Sequence, residues 1–311
     1  LVPGTNYVGS NTNSTDDHGH GTKVAGIIGA NANNGTNGVG INWQCKLMPI
    51  KVLNNGSPPT GNYGDFAAGL LWAVSNGAKV LNVSAGAAGG SDITLSNAIE
   101  SVVSNGAIFV AAAGNGGTEP VWFPGIHPRA ITVGATDRFG TRWSSSSYGS
   151  NLCLVAPGVD INTVGMGGNW VVDSGTSFAT PQVAGVAALI LSVRTNLNQY
   201  QIKNLLAAGA SDMDQQTPDP NDTVGWDKYY GWGRLNAYNS IRLALMDSAP
   251  DVTTSSNTFT MSWACPSNAS NSLPYQVQHT TNLTDAGAWT AVSNITYSST
   301  TATWTDDSST N

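Results

Sequence analysis

Ile108-Phe109-Val110-Ala111-Ala112-Ala113-Gly114-Asn115-Gly116-Gly117 is the stretch on which the fold turns. An unbroken apolar run ending in a glycine-flanked Asn reads as a strand buried on both faces, because a strand with one wet face would alternate. Burial on both faces points to a parallel sheet covered by helices. The sequence before it agrees: residues 46–53 and 80–84 read as strands, and residues 63–76 and 95–104 as the helices between them. Strand and helix in alternation give a parallel sheet with crossover helices. After it come shorter strand-like pieces at 131–133, 152–156 and 170–172. A long small-residue helix then runs from Thr176 to about Arg194, and a last helix pair occupies 199–208 and 235–245. The fold class is α/β with a mostly parallel central sheet.

Composition narrows the function classes. Forty per cent apolar residues with 10% charged is the reverse of a disordered chain. Twelve Lys and Arg against nineteen Asp and Glu, a net charge of −7, exclude nucleic-acid binding through a basic surface. Cys45, Cys153 and Cys265 form neither a disulfide framework nor a metal-ligand spacing. The longest apolar stretch, 183–193, falls short of the ~20 residues of a membrane span. No basic segment followed by an apolar one opens the chain at Leu1, and we expect it to continue upstream.

At Ala249-Pro250 the composition shifts to Ser, Thr and Asn, with alternating runs at 258–263, 275–279 and 301–304. That reads as a small all-β module over 250–311, following an α/β domain over 1–246. It is short against the ~100 residues of a sandwich domain, so we expect it to be incomplete.

Three elements carry chemistry. In Gly175-Thr176-Ser177-Phe178-Ala179-Thr180-Pro181 a Ser stands between a Gly-bearing turn and a helix start, whose unpaired N–H groups favour a developing anion. Alone it would be a helix cap. His20-Gly21-Thr22 opens another helix-compatible run, Lys23-Val24-Ala25-Gly26-Ile27-Ile28, and His is the usual base for a Ser nucleophile. Asn115, at the end of the buried strand, is a turn residue whose carboxamide can also donate to an oxyanion.

Together these elements resemble the subtilisin-like serine peptidases, the subtilases. The order His, Asn, Ser matches, as do Asn82-Val83-Ser84, Val155-Ala156-Pro157-Gly158 and Gly231-Trp232-Gly233-Arg234-Leu235-Asn236-Ala237. The resemblance spans residues 8–245 and implies the family's three-layer fold. It makes Ser177 the nucleophile, His20 the base and then acid, and Asn115 with the Ser177 N–H the oxyanion hole. His18 lacks the following Gly-Thr and reads as a loop residue. Polypeptide substrates, an extracellular location and a monomer follow from the resemblance, with no organic cofactor.

The chain also departs from the family. The triad Asp belongs on the order of thirty residues before the His, and the chain begins closer to His20 than that. We therefore expect the first strand and its Asp to be missing, and the 311 residues alone to show little peptidase activity. Asp16 and Asp17 read as loop carboxylates, and Asp173 lies too near Ser177 to orient the His. Phe178 stands where many subtilases carry an oxidation-prone Met. Lys23 replaces a common His, with no consequence visible in the sequence.

By the same resemblance an extended substrate pairs with Ser84-Ala85-Gly86 and Ala112-Ala113-Gly114. The small residues Ala85, Ala112, Ala113 and Gly116 predict a roomy, uncharged pocket and a broad preference for large apolar or aromatic P1 residues, P1 being the residue whose carbonyl is attacked. Tyr63 matches an aromatic of the S4 subsite or packs at its helix start, and Phe123-Pro124 matches a position that is often cis. Asn33-Asn34-Gly35-Thr36-Asn37-Gly38-Val39 resembles the calcium loop, in which an Asn side chain such as Asn34 and backbone carbonyls ligate Ca2+. The β module resembles fibronectin type III-like domains of secreted bacterial enzymes, with surface or carbohydrate contact as its implied role. Two other functions fit the same residues: a peptide-binding protein without turnover, and a surface binder acting through the β module.

Overall fold

The computed structural model describes residues 1–35, 38–213 and 225–246, and the backbone of six strands within 251–306. The elements run β1 (Thr5–Asn6), α1 (His20–Gly29), β2 (Ile50–Lys51), α2 (Tyr63–Ser75), β3 (Val80–Val83), α3 (Ile93–Ser104) and β4 (Ile108–Ala112). They continue with β5 (Ile131–Thr136), β6 (Leu152–Pro157), β7 (Ile161–Val164), β8 (Trp170–Asp173), α4 (Thr176–Val193), α5 (Gln199–Gly209) and α6 (Ala237–Met246). Residues 1–241 and 242–311 form two separate units.

In the first unit β3, β4, β5 and β6 make a parallel sheet in chain order. Each residue of β4 is buried, as its unbroken apolar run requires. Phe109 and Ala111 join one core with Leu95, Ile99 and Val102 of α3 and Ala67 and Leu70 of α2. The residues between them face the other way, where α4 packs across the sheet and against α1. This gives the expected three layers. Local chemistry sets the helix starts: Asn62 accepts from the Asp65 N–H, Asp92 from Leu95, and Asn198 with Gln201 forms a capping box. Helix α4 is long and apolar enough to cross a membrane, but most of it is buried in this core.

One expectation needed correction. The strand read over 46–53 shrinks to Ile50–Lys51 and leaves the main sheet, pairing in parallel with Thr5–Asn6. Pro49, which has no N–H, precedes it and a turn at Asn54 follows, so the run cannot extend its ladder. The strand read at 170–172 is present as β8, and what the reading missed is its antiparallel hairpin partner β7, which has too little alternation to read.

In the second unit, β9 (Asp251–Ser255), β10 (Thr258–Ala264), β13 (Ile295–Tyr297) and β14 (Thr301–Asp306) form an antiparallel sheet in the order β13-β14-β10-β9. Strands β11 (Gln278–His279) and β12 (Thr290–Ala291) pair separately. Cys265 and residues 275–277 of the expected strand lie outside the described residues.

Candidate active site

One cavity of about 420 Å³ is lined by His20, Ser177 and Asn115 together with Ser84, Ala85 and Gly86. Three elements deliver the chemistry: His20 is the first residue of α1, Ser177 the second of α4, and Asn115 follows β4. All three sit at element ends, where side chains project beyond the packed layers. Tyr63, Ala112, Gly114 and His18 line the same cavity.

Asn115 is held by its carbonyl end. Its Oδ1 accepts from the Thr176 N–H at 3.0 Å and from the Thr176 hydroxyl at 2.8 Å. The Thr176 N–H can only donate, so it meets the amide oxygen, and Nδ2 is the end left to donate. Thr176 is fully buried, and its Oγ1 also accepts from the Gly114 N–H.

Ser177 Oγ donates to the Ser84 carbonyl at 3.1 Å, and the Ser84 hydroxyl donates to the Ser177 carbonyl at 2.9 Å. Pro181 stands four residues after Ser177 inside α4 and has no N–H to give that carbonyl, which is why Ser84 is needed there. Among the described residues no hydrogen bond joins Ser177 to His20, and none joins a carboxylate to the His20 ring.

The Phe178 ring meets the His20 ring edge-on at 5.7 Å and holds it by packing. Burial pushes the His20 pKa below its ordinary value, and His18 and Lys23 push the same way against Asp173 and Asp16. The tempting carboxylates are otherwise engaged. Asp16 accepts from the N–H groups of His18, Gly19 and Thr22 and from the Thr22 hydroxyl, capping α1 where Gly19 offers no side chain. Burial alone would raise its pKa, but these bonds bring it down to about 2. Asp17 pairs with Lys51 at 2.5 Å. Lys23, silent in the sequence, pairs with Asp173 at 2.7 Å and ties α1 to β8.

The proposed substrate edges differ from each other. Ala85 and Gly86 make no backbone hydrogen bond among the described residues. Ala113, by contrast, donates to Val133 and accepts from Trp122, and Gly114 donates to Thr176 and accepts from Ser147. Of these two segments, Ala85 and Gly86 are the ones with backbone groups left to pair among the described residues, and Pro59, Thr60 and Gly61 line the same cavity. The small residues do not stand beside empty space alone, since Trp122 lines the same cavity. The Trp122 indole lies across Gly114 and Gly116 and fills the space they leave.

Tyr63 lines the cavity and packs edge-on against Phe123 at 5.3 Å, and the Phe123-Pro124 peptide is cis. The Asn33–Val39 loop offers amide and carbonyl oxygens, hard donors of the kind Ca2+ takes, but no carboxylate. Asn33 and Gly35 have positive φ, 55° and 69°, and Thr36 and Asn37 lie outside the described residues. No group of three or more His, Cys, Asp or Glu is gathered among the described residues. Cys45 and Cys153 are free thiols, and burial pushes Cys153 up to about 11, which leaves it inert.

Comparison with known proteins agrees with this architecture. The model of the subtilase family matches residues 1–233. The chain is 37% identical over 239 residues to subtilisin Savinase of Lederbergia lenta, covering 77% of this chain and 83% of that protein. It is 34% identical over 256 residues to the cell wall-associated protease of Bacillus subtilis (strain 168), covering 78% of this chain but spanning only 28% of that longer protein. Among solved structures, the prenylagaramide maturation protease PagA superposes with a TM-score of 0.66 at 33% identity, over 78% of this chain and 86% of that one. With the family model matched over most of the α/β unit, this chain belongs to the subtilase family.

Proposed function

We propose that this chain is a serine endopeptidase module that cleaves polypeptides through an acyl-enzyme on Ser177. The observation that carries this is the convergence of His20, Ser177 and Asn115 on one cavity beside an unpaired backbone edge. A substrate strand adds to Ser84–Gly86 and presents its carbonyl to Ser177 Oγ. His20 takes the hydroxyl proton as the C–O bond forms and returns it to the leaving amine. As the C–O bond forms, before the amine leaves, negative charge collects on the carbonyl oxygen, facing Asn115 Nδ2 and the Ser177 N–H, which near the helix start has no intrahelical acceptor.

Among the described residues no carboxylate bonds the imidazole, and our reading is that these residues by themselves turn over slowly. A wrong tautomer costs a serine peptidase about 10⁴ in rate. Labelling of Ser177 by a fluorophosphonate, with Ser177→Ala as blank, tests the reading. Slow labelling that accelerates when an Asp-bearing N-terminal strand is supplied supports it, and none under either condition overturns it. The second reading, peptide binding without turnover, is favoured by the Ser177 hydroxyl pointing to Ser84 instead of His20, and the same experiment separates the two.

Three further assignments belong to this reading: an extracellular location, a weakly bound structural Ca2+ held by Asn34 and loop carbonyls, and a surface- or carbohydrate-contacting role for a fibronectin type III-like module over 250–311. The antiparallel order of its strands supports the last.

A further inference from the structure

The strongest unexplained feature beside the site is Trp122, and its reading rests on the acyl transfer proposed above. Three glycines frame this side chain. A Cβ on Gly86 would stand 3.5 Å from the Trp122 Cβ, one on Gly116 would stand 3.1 Å from Nε1, and one on Gly114 would overlap the indole itself. The indole therefore occupies the slot between the Ser84–Gly86 wall and the Gly114–Gly116 wall. Backbone bonds hold it there. The Trp122 N–H donates to Ala113 at 2.8 Å, and its neighbour Phe123 exchanges hydrogen bonds with Ala87 at 2.8 and 3.1 Å, so the segment is stitched to both walls.

A strand added to Ser84–Gly86 with its carbonyl at Ser177 places the P1 Cα over this slot. Successive side chains of a strand alternate sides. The P1 side chain must point down between the two walls, onto the indole. A methyl group reaches least toward the ring, whereas a benzyl or isobutyl group extends into the side of the slot where the indole packs against Gly114 and Gly116.

We propose that Trp122 sets the specificity of this site, restricting P1 to Gly, Ala or a side chain of similar size. This replaces the large aromatic P1 expected from the small wall residues. Trp122 Nε1 is buried with no hydrogen-bond partner among the described residues. Truncating the side chain to Ala therefore orphans no partner.

The test uses the full chain. Tetrapeptide acids differing only in a C-terminal Ala or Phe are titrated into Ser177→Ala protein by calorimetry, which requires no chemistry. The Ala peptide is expected to bind at least about tenfold tighter, and Trp122→Ala or Trp122→Leu to reverse the order. In parallel, Ser177-dependent hydrolysis of the matching p-nitrophenyl esters should favour Ala over Phe by about 100-fold, whatever the absolute rate. Equal or tighter binding of the Phe peptide to the parent chain overturns the assignment, as does an unchanged ratio in a folded Trp122 variant. Absence of Ser177-dependent hydrolysis with the binding preference intact refutes the acylation reading alone.

Discussion

The Ser84 hydroxyl reaches the Ser177 carbonyl at 2.9 Å, the acceptor that Pro181 leaves without its helical N–H. A residue just after β3 thus completes the first turn of α4 at Ser177. Ser84→Ala orphans that carbonyl, at a cost of about 1–3 kcal/mol. In a Pro181→Ala background the helix supplies its own donor, and the same substitution should cost less. Equal losses in both backgrounds, measured by urea unfolding, would show that the two residues do not compensate.

Asn115 depends on Thr176 in a similar way, since both donors to Oδ1 come from that residue. Asn115→Ala should lower Ser177-dependent ester hydrolysis by about 10²–10³, the range found for the oxyanion Asn of a subtilisin. Thr176→Val keeps the backbone donor and should lose less. Similar rates for all three proteins would remove Asn115 from the oxyanion site.

The depressed pKa of His20 can be read by NMR titration of its ring proton. It should titrate below 6.5, chiefly because burial disfavours the charged form. Lys23→Met removes one repulsive charge and leaves Asp173 unpaired, so the value should rise, while Asp173→Asn should lower it. The unfolded chain takes up the proton first as pH falls. The stability this group contributes is thus present above pH 6.5 and is lost as pH falls through the folded value. A His20 titration above 6.5 contradicts the burial argument.

Phe178 is buried against His20 and places no sulfur beside Ser177. Dilute peroxide should oxidise the exposed Met166 while fluorophosphonate labelling of Ser177 stays within about twofold. Phe178→Met should make labelling peroxide-sensitive. Rapid loss in the parent chain would place the liability elsewhere in the site.

For calcium, a loop of neutral donors predicts weak binding, on the order of 10⁻⁴–10⁻³ M. Ten-millimolar Ca2+ should raise Tm by a few degrees and a chelator reverse it, through binding to the folded state alone. Asn34→Ala should abolish the shift. A Tm indifferent to Ca2+ in the parent chain removes the ion from this loop.

The layered α/β architecture was legible because its causes are local and periodic. The run Ile108–Ala112 can be buried only in a covered parallel sheet, and Asn62, Asp92 and Asn198 announce their helices by their own side chains. His20, Asn115 and Ser177 were legible through short motifs whose spacing an α/β fold keeps. The two-residue β2 and the β7–β8 hairpin were not, because pairing partners from distant sequence set their extent.

By itself, then, the sequence determined the layers, the elements that carry the chemistry and the residue types at their ends. Only the tertiary structure decided how those residues are held and what space remains between them. Small residues at Ala85, Ala112, Ala113 and Gly116 read as an open pocket, whereas the structure folds Trp122 back across Gly114 and Gly116. Lys23 shows no consequence in the sequence until β8 brings Asp173 to it. Volume and charge at a site belong to whatever the fold packs there, and side chains distant in sequence leave no periodic trace of where they will pack.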